Sequence, residues 1–153
     1  MFQSLIATTA TWFTLPVRLA LGLIFVAHGA QKAFGVWGGP GWSKFLSFPA
    51  PFGFMRPTWL WMGAALFAEL VGGTLILIGL LTRVGAFLVV CTMLTAMFGV
   101  HWKGGFFLSR DPNVTSGIEY TLALLGMSLA LLIVGGGRFS VDEKLQAPPR
   151  RRW

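Results

Sequence analysis

The chain holds 153 residues, 55% hydrophobic and 11% charged, where a soluble domain averages about 45–50% and about 25%; an ordinary soluble globule is excluded. Twelve Lys and Arg against five Asp and Glu give a formal charge of +7, which in a chain this apolar places basic residues at lipid headgroups and makes nucleic acid an unexpected partner. The one cysteine, Cys91, lies in an apolar run, which excludes an intrachain disulfide, a CxxC pair and a cysteine zinc cluster.

A helix crossing a hydrocarbon core about 30 Å thick needs about 20 mostly apolar residues at about 1.5 Å rise per residue. The opening segment MFQSLIATTATWFT carries no Lys or Arg, so it lacks the basic start of a secretory leader. The first window, Leu15 to Phe34, is therefore read as a retained helix; a leader cleaved near Ala30 is the competing reading, resting on Arg18 and the apolar run after it. From Gly35 to Pro57 nine Gly and Pro are interleaved with Trp37, Trp42, Phe45, Phe48, Phe52 and Phe54. Gly and Pro exclude a long helix and the aromatics are too apolar for a solvated linker, so a re-entrant or capping loop in the interface is predicted.

The second window, Thr58 to Leu80, and the third, Val84 to His101, are joined only by the residues around Leu81-Thr82-Arg83, which makes them antiparallel neighbours. The fourth runs from Gly117 to Gly136, and residues 138–153 form a short basic tail with no core of its own. The predicted fold is all-α: one transmembrane domain over residues 1–153, a four-helix bundle with a Gly/Pro/aromatic-rich interfacial loop between its first and second helices. Both termini fall on one side. That side carries Arg18, Arg83, Arg138, Lys144, Arg150, Arg151 and Arg152, and the other Lys32, Lys44, Arg56, Lys103 and Arg110. The positive-inside rule then puts both termini in the cytoplasm of a multi-pass inner-membrane protein, on a margin set by the terminal Arg run. Arg18 and Arg83 are read as snorkelling anchors near the helix ends.

Charged groups within a span are costly, by about 2.5–3.5 kcal/mol on insertion scales, and each needs a reason. Glu69 sits near the midpoint of the second helix, on a face with Met62, Ala65, Gly72, Gly73 and Ile76; small residues on that face turn the carboxyl into the bundle. His28 lies at similar depth on the first helix, with Lys32 one turn further out, so His28 and Glu69 are expected within reach of each other. His101, Trp102, Lys103 and Glu119 gather with them around one outer mouth. Two histidines on different helices suggest haem, but their depths differ by about two turns, so no metal ligand set is assigned. Histidine and glutamate can move protons or hydrogen-bond a carbonyl, lysine stabilises a developing anion, and aromatics cover a ring. A proton-handling or quinone-head-group site results, with Glu69 and His28 catalytic and Lys32, His101, Trp102, Lys103 and Glu119 binding. The alternative is that Glu69 and His28 satisfy each other and fix helix register.

With these residues placed, the chain resembles the DoxX family of small four-helix bacterial membrane proteins from about Arg18 to Asp142. The likeness rests on Arg18 followed by Leu-Gly-Leu-Ile-Phe and His28-Gly29-Ala30-Gln31-Lys32, and on Glu69-Leu70-Val71-Gly72-Gly73. It continues in His101-Trp102-Lys103-Gly104-Gly105-Phe106-Phe107, Gly117-Ile118-Glu119-Tyr120 and the closing stretch to Asp142. The resemblance implies a link to membrane electron transfer, from quinol oxidation to thiosulfate, thiol and oxidative-stress chemistry. The expected role is a small accessory subunit of a larger membrane redox complex, in contact with lipid and other membrane-protein subunits. It has no intrinsic cofactor beyond a bound quinone. The alternative is an oxidoreductase linked to a quinone or a small sulfur anion, acting at the outer mouth, and the third reading is a small transporter.

Overall fold

The computed structural model describes residues 2–111 and 114–146; the Arg150 to Arg152 run that sets the predicted orientation lies outside the described residues. Among the described residues there are seven α-helices and no strand: α1 (Phe2–Leu5), α2 (Thr14–Phe34), α3 (Gly41–Leu46), α4 (Thr58–Ile78), α5 (Thr82–Ala96), α6 (Glu119–Val134) and α7 (Val141–Leu145). A π turn at Met97–His101 and a 3-10 turn at Trp102–Gly104 prolong α5. Three stretches are long and apolar enough to cross a membrane: Thr14–Phe34, Thr58–Ile78 and Thr82–Gly104.

The fourth predicted span is shorter than expected, for a reason visible in its backbone. α6 has 16 residues, about 24 Å at about 1.5 Å per residue. The amides of Gly117, Ile118 and Glu119 donate to Phe107, Gly105 and Phe106 carbonyls at 3.0, 3.0 and 2.9 Å. The connection from α5 thus takes the donors that another helical turn would leave open. At the other end Gly135 (φ 85°) stops the helix.

α2 packs on α4, α4 on α5 and α5 on α6, and α6 meets α2 to close the ring. The core between them holds Leu21, Phe25, Ile76, Ala86, Val89 and Leu131. α4 is held on both sides by glycine. A Cβ on Gly29 would stand 2.7 Å from Leu70 Cα, one on Gly22 2.8 Å from Leu77 Cα, and one on Gly85 2.7 Å from the Gly72 carbonyl oxygen. Small residues let backbones approach this closely, as helix association in lipid requires.

This register offsets the helices. With Gly29 against Leu70 and Gly22 against Leu77, α2 ends about two turns short of the N-terminal end of α4. The 35–57 connection fills the step: α3 packs against both α2 and α4, Phe45 and Met55 are buried, and Pro51 and Phe52 sit on Gly99 of the π turn. The predicted capping loop is thus a folded cap, with Trp37, Trp42 and Phe54 exposed at its rim.

At the terminal end Arg18 corrects its expected role. It is buried to 3% exposure and donates to the carbonyls of Gly136 at 2.7 Å and Phe139 at 2.9 Å, tying α2 to the segment after α6. Asp142, 1% exposed, accepts from the amides of Leu81 and Thr82 and the Thr82 hydroxyl at 2.7, 2.9 and 2.7 Å. Its carboxylate satisfies the open donors at the start of α5, where an anion is also favoured by the helix dipole. Arg83 donates to the Ile133 carbonyl near the end of α6 at 2.8 Å.

Candidate functional site

Glu69 lies one turn outward from the point where α4 touches α5 and is 5% exposed. Its Oε2 accepts a hydrogen bond from Lys32 Nζ, forming an ion pair. Lys32 can reach it because the glycine seam sets the end of α2 level with the middle of α4. The ammonium also lies 5.3 Å from the centre of the Phe45 ring, inside cation–π range. A charge this deep is tolerable when paired and covered; either member alone would be an uncompensated buried charge.

The pair forms the polar end of a cavity of about 330 Å³. Trp61, Met62, Ala64, Ala65 and Ala68 of α4 form one wall. Leu88, Cys91, Thr92, Thr95 and Ala96 of α5, with Val100, form the other, and Phe45, Pro51 and Met55 of the cap close the top. The Thr92 and Thr95 hydroxyls donate to the carbonyls of Leu88 at 3.0 Å and Cys91 at 2.9 Å, one turn back along their own helix. Their O–H donors are thus spent, and Lys32 and Glu69 are the charged groups of the lining. Lysine has three N–H donors and one is spent on Glu69. Apolar walls with a few convergent polar groups are the usual make-up of a small-molecule site, and this volume is near the small end of such pockets. It suits one ring-sized head group.

The remaining residues expected at this mouth lie elsewhere. His28 is exposed and outside the cavity lining; the partner of Glu69 is Lys32. His101 Nδ1 stands 2.9 Å from the Ser116 carbonyl oxygen, so that nitrogen carries the proton and donates. Glu119 is exposed and accepts from the Leu108 amide at 3.1 Å. Trp102 is exposed, its ring 5.2 Å from that of Phe98, and Lys103 is exposed. His101 and Glu119 brace the connection from α5 to α6, beside which Trp102 and Lys103 lie. Phe87 and Leu94 of α5 and Phe98 of its π turn are exposed, as are Gly126 and Ala130 of α6, so these faces turn outward. Of the sequence-predicted set, the structure brings together Glu69 and Lys32.

Phe45, Met55, Trp61, Met62, Cys91 and Thr92 were missed as lining residues. The aromatic-rich connection signalled that Phe45 is no solvated residue, but only the helix offset shows that it covers Lys32. Among the described residues no group of three His, Cys, Asp or Glu stands close enough to hold a metal ion.

A family model described as DoxX matches residues 13–102, which include α2, the cap, α4 and α5. Among curated proteins, the chain is 31% identical to "Uncharacterized membrane protein Rv3486" of Mycobacterium tuberculosis, over 84% of this chain and 78% of that one. It is 32% identical to "Putative oxidoreductase CatD" of Bacillus subtilis, over 82% of this chain and 81% of that one. No solved structure matches it.

Proposed function

The chain belongs to the DoxX family, and from that premise we propose that it is a quinone-binding subunit of a larger membrane redox assembly. The observation that carries this reading is the Lys32–Glu69 pair, the polar end of an otherwise apolar cavity within the membrane-spanning helices. A quinone head group is a flat apolar ring with carbonyl acceptors. A free N–H of Lys32 donates to one carbonyl, and Phe45, Met55 and Trp61 cover the ring. Reduction to the quinol consumes two electrons and two protons; the partner subunit would supply the electrons, and both protons would come from water, one relayed by Glu69 to the carbonyl oxygen that Lys32 binds and the other taken up at the second oxygen. The relative named as an oxidoreductase in Bacillus subtilis supports this class of chemistry. In this reading both termini are cytoplasmic in the bacterial inner membrane, which puts the cavity in the outer half of the bilayer.

The test is equilibrium binding of decylubiquinone to the full chain in nanodiscs. Saturable binding at one site is expected. Lys32→Met, which removes a charged hydrogen bond of about 1.5–3 kcal/mol, should weaken it about 10- to 100-fold. Absence of saturable binding, or equal affinity in Lys32→Met, would overturn the assignment.

A further inference from the structure

We propose that the cavity is loaded sideways from the bilayer, through a gap between α4 and α5 flanked by Ala64 and Cys91, and that its occupant keeps a lipid tail in that gap. The inference rests on the quinone-binding reading for the head group but adds the route and the tail. α4 and α5 touch backbone to backbone at Gly72 and Gly85, and the cavity begins about one turn outward, where Glu69 and Leu88 line it. The two helices therefore enclose a wedge that widens away from the glycine contact.

Three sides of that wedge are shut. The glycine contact closes its apex, Lys32 of α2 stands at its rear, and the cap roofs it with buried Phe45 and Met55. The cap is itself pinned where Pro51 and Phe52 meet Gly99. Exposure along the lining runs from the rear to the front. Ala68 and Glu69 are 6% and 5% exposed, while Ala64 and Cys91 on the facing edges of α4 and α5 are exposed; Trp61 and Val100, 43% and 46% exposed, carry that edge on toward the cap end. The open side thus lies on the outer surface of spanning helices, where the solvent is hydrocarbon. The flanking side chains are among the smallest apolar ones, and neighbouring Phe67 and Phe98, 55% and 51% exposed, continue an apolar surface.

Volume and depth point to the same occupant. About 330 Å³ holds a ring but no long tail, and a tail leaving by the open side stays in hydrocarbon. Each buried methylene contributes about 0.8 kcal/mol to retention in an apolar phase, which concentrates a tailed molecule at this height rather than in water. A water-soluble ligand would have to cross the cap.

Two measurements on the full chain in nanodiscs decide the matter. Cys91 is the only cysteine, so a nitroxide attached there reports that position without background. Relaxation by dissolved oxygen and little by a water-soluble nickel chelate is expected; dominant relaxation by the chelate would overturn the lateral opening whether or not quinone binds. In the second, Ala64→Trp narrows the gap. Affinity for decylubiquinone should fall at least about tenfold, and less than that for the tailless ring 2,3-dimethoxy-5-methyl-1,4-benzoquinone, which has no tail to thread through the gap. Unchanged affinity for decylubiquinone would overturn the portal, as would equal losses for both ligands. If the unsubstituted protein binds neither quinone, the quinone reading fails and the nitroxide result alone decides the opening.

Discussion

Replacing Lys32 by methionine keeps the length of the side chain and removes its charge, leaving Glu69 without its counter-ion. Breaking a buried pair by removing one partner costs about 3–5 kcal/mol, whereas replacing both charges by apolar groups is often neutral or stabilising. The side chains are 23% and 6% exposed for Lys32 and Glu69, so the lower end, about 3 kcal/mol, applies here. For a chain of this size about 2–4 °C of Tm is lost per kcal/mol, and Lys32→Met should melt about 6–12 °C below the unsubstituted protein. Lys32→Met/Glu69→Met should recover to within about 1 kcal/mol. The assay is thermal unfolding of the detergent-solubilised protein, completed by Glu69→Met so that the double-mutant cycle isolates the pairwise term. If the single and double variants melt together with the unsubstituted protein, the pair is solvated and the electrostatic account of the cavity is wrong.

Other variants probe the scaffold and the partition of the predicted residues. Asp142→Ala orphans three donors at the start of α5, each bonded at 2.9 Å or less; at about 1–3 kcal/mol per unsatisfied buried group the loss should be at least about 3 kcal/mol. Thermal unfolding measures it, and a loss below about 1 kcal/mol would deny the latch. His28→Leu should alter decylubiquinone affinity less than about twofold; a loss like that of Lys32→Met would return His28 to the site. Purification in a mild detergent should retain a redox-active membrane subunit, and a stable solitary chain under those conditions would count against the assembly.

Much of the architecture is legible in the residues, because hydrocarbon leaves an apolar segment little choice but helix. Apolar length located the long helices, of which three are long enough to cross a membrane, and the small-residue face of α4 pointed Glu69 inward. The register between helices was not legible. Periodicity assigns a side chain to a face but says nothing about how far one helix is shifted along its neighbour, and that shift gives Glu69 Lys32 as its partner instead of His28. Arg18 escaped for a similar reason: an arginine near a helix end snorkels when lipid surrounds it, and here the segment Gly136 to Phe139 folds over it and supplies carbonyls. Composition alone gave the membrane class, and the DoxX likeness added the family, which the family model matches.

The central claim is that a quinone head group sits between α4 and α5 against Lys32 and Glu69. The most direct test is photolabelling with an azido-quinone in nanodiscs, mapped by peptide mass spectrometry. The account predicts adducts on cavity residues such as Trp61, Met62 or Thr92, suppressed by excess decylubiquinone and reduced in Lys32→Met. Adducts confined to the connection from His101 to Glu119, or labelling that excess quinone does not suppress, would contradict it.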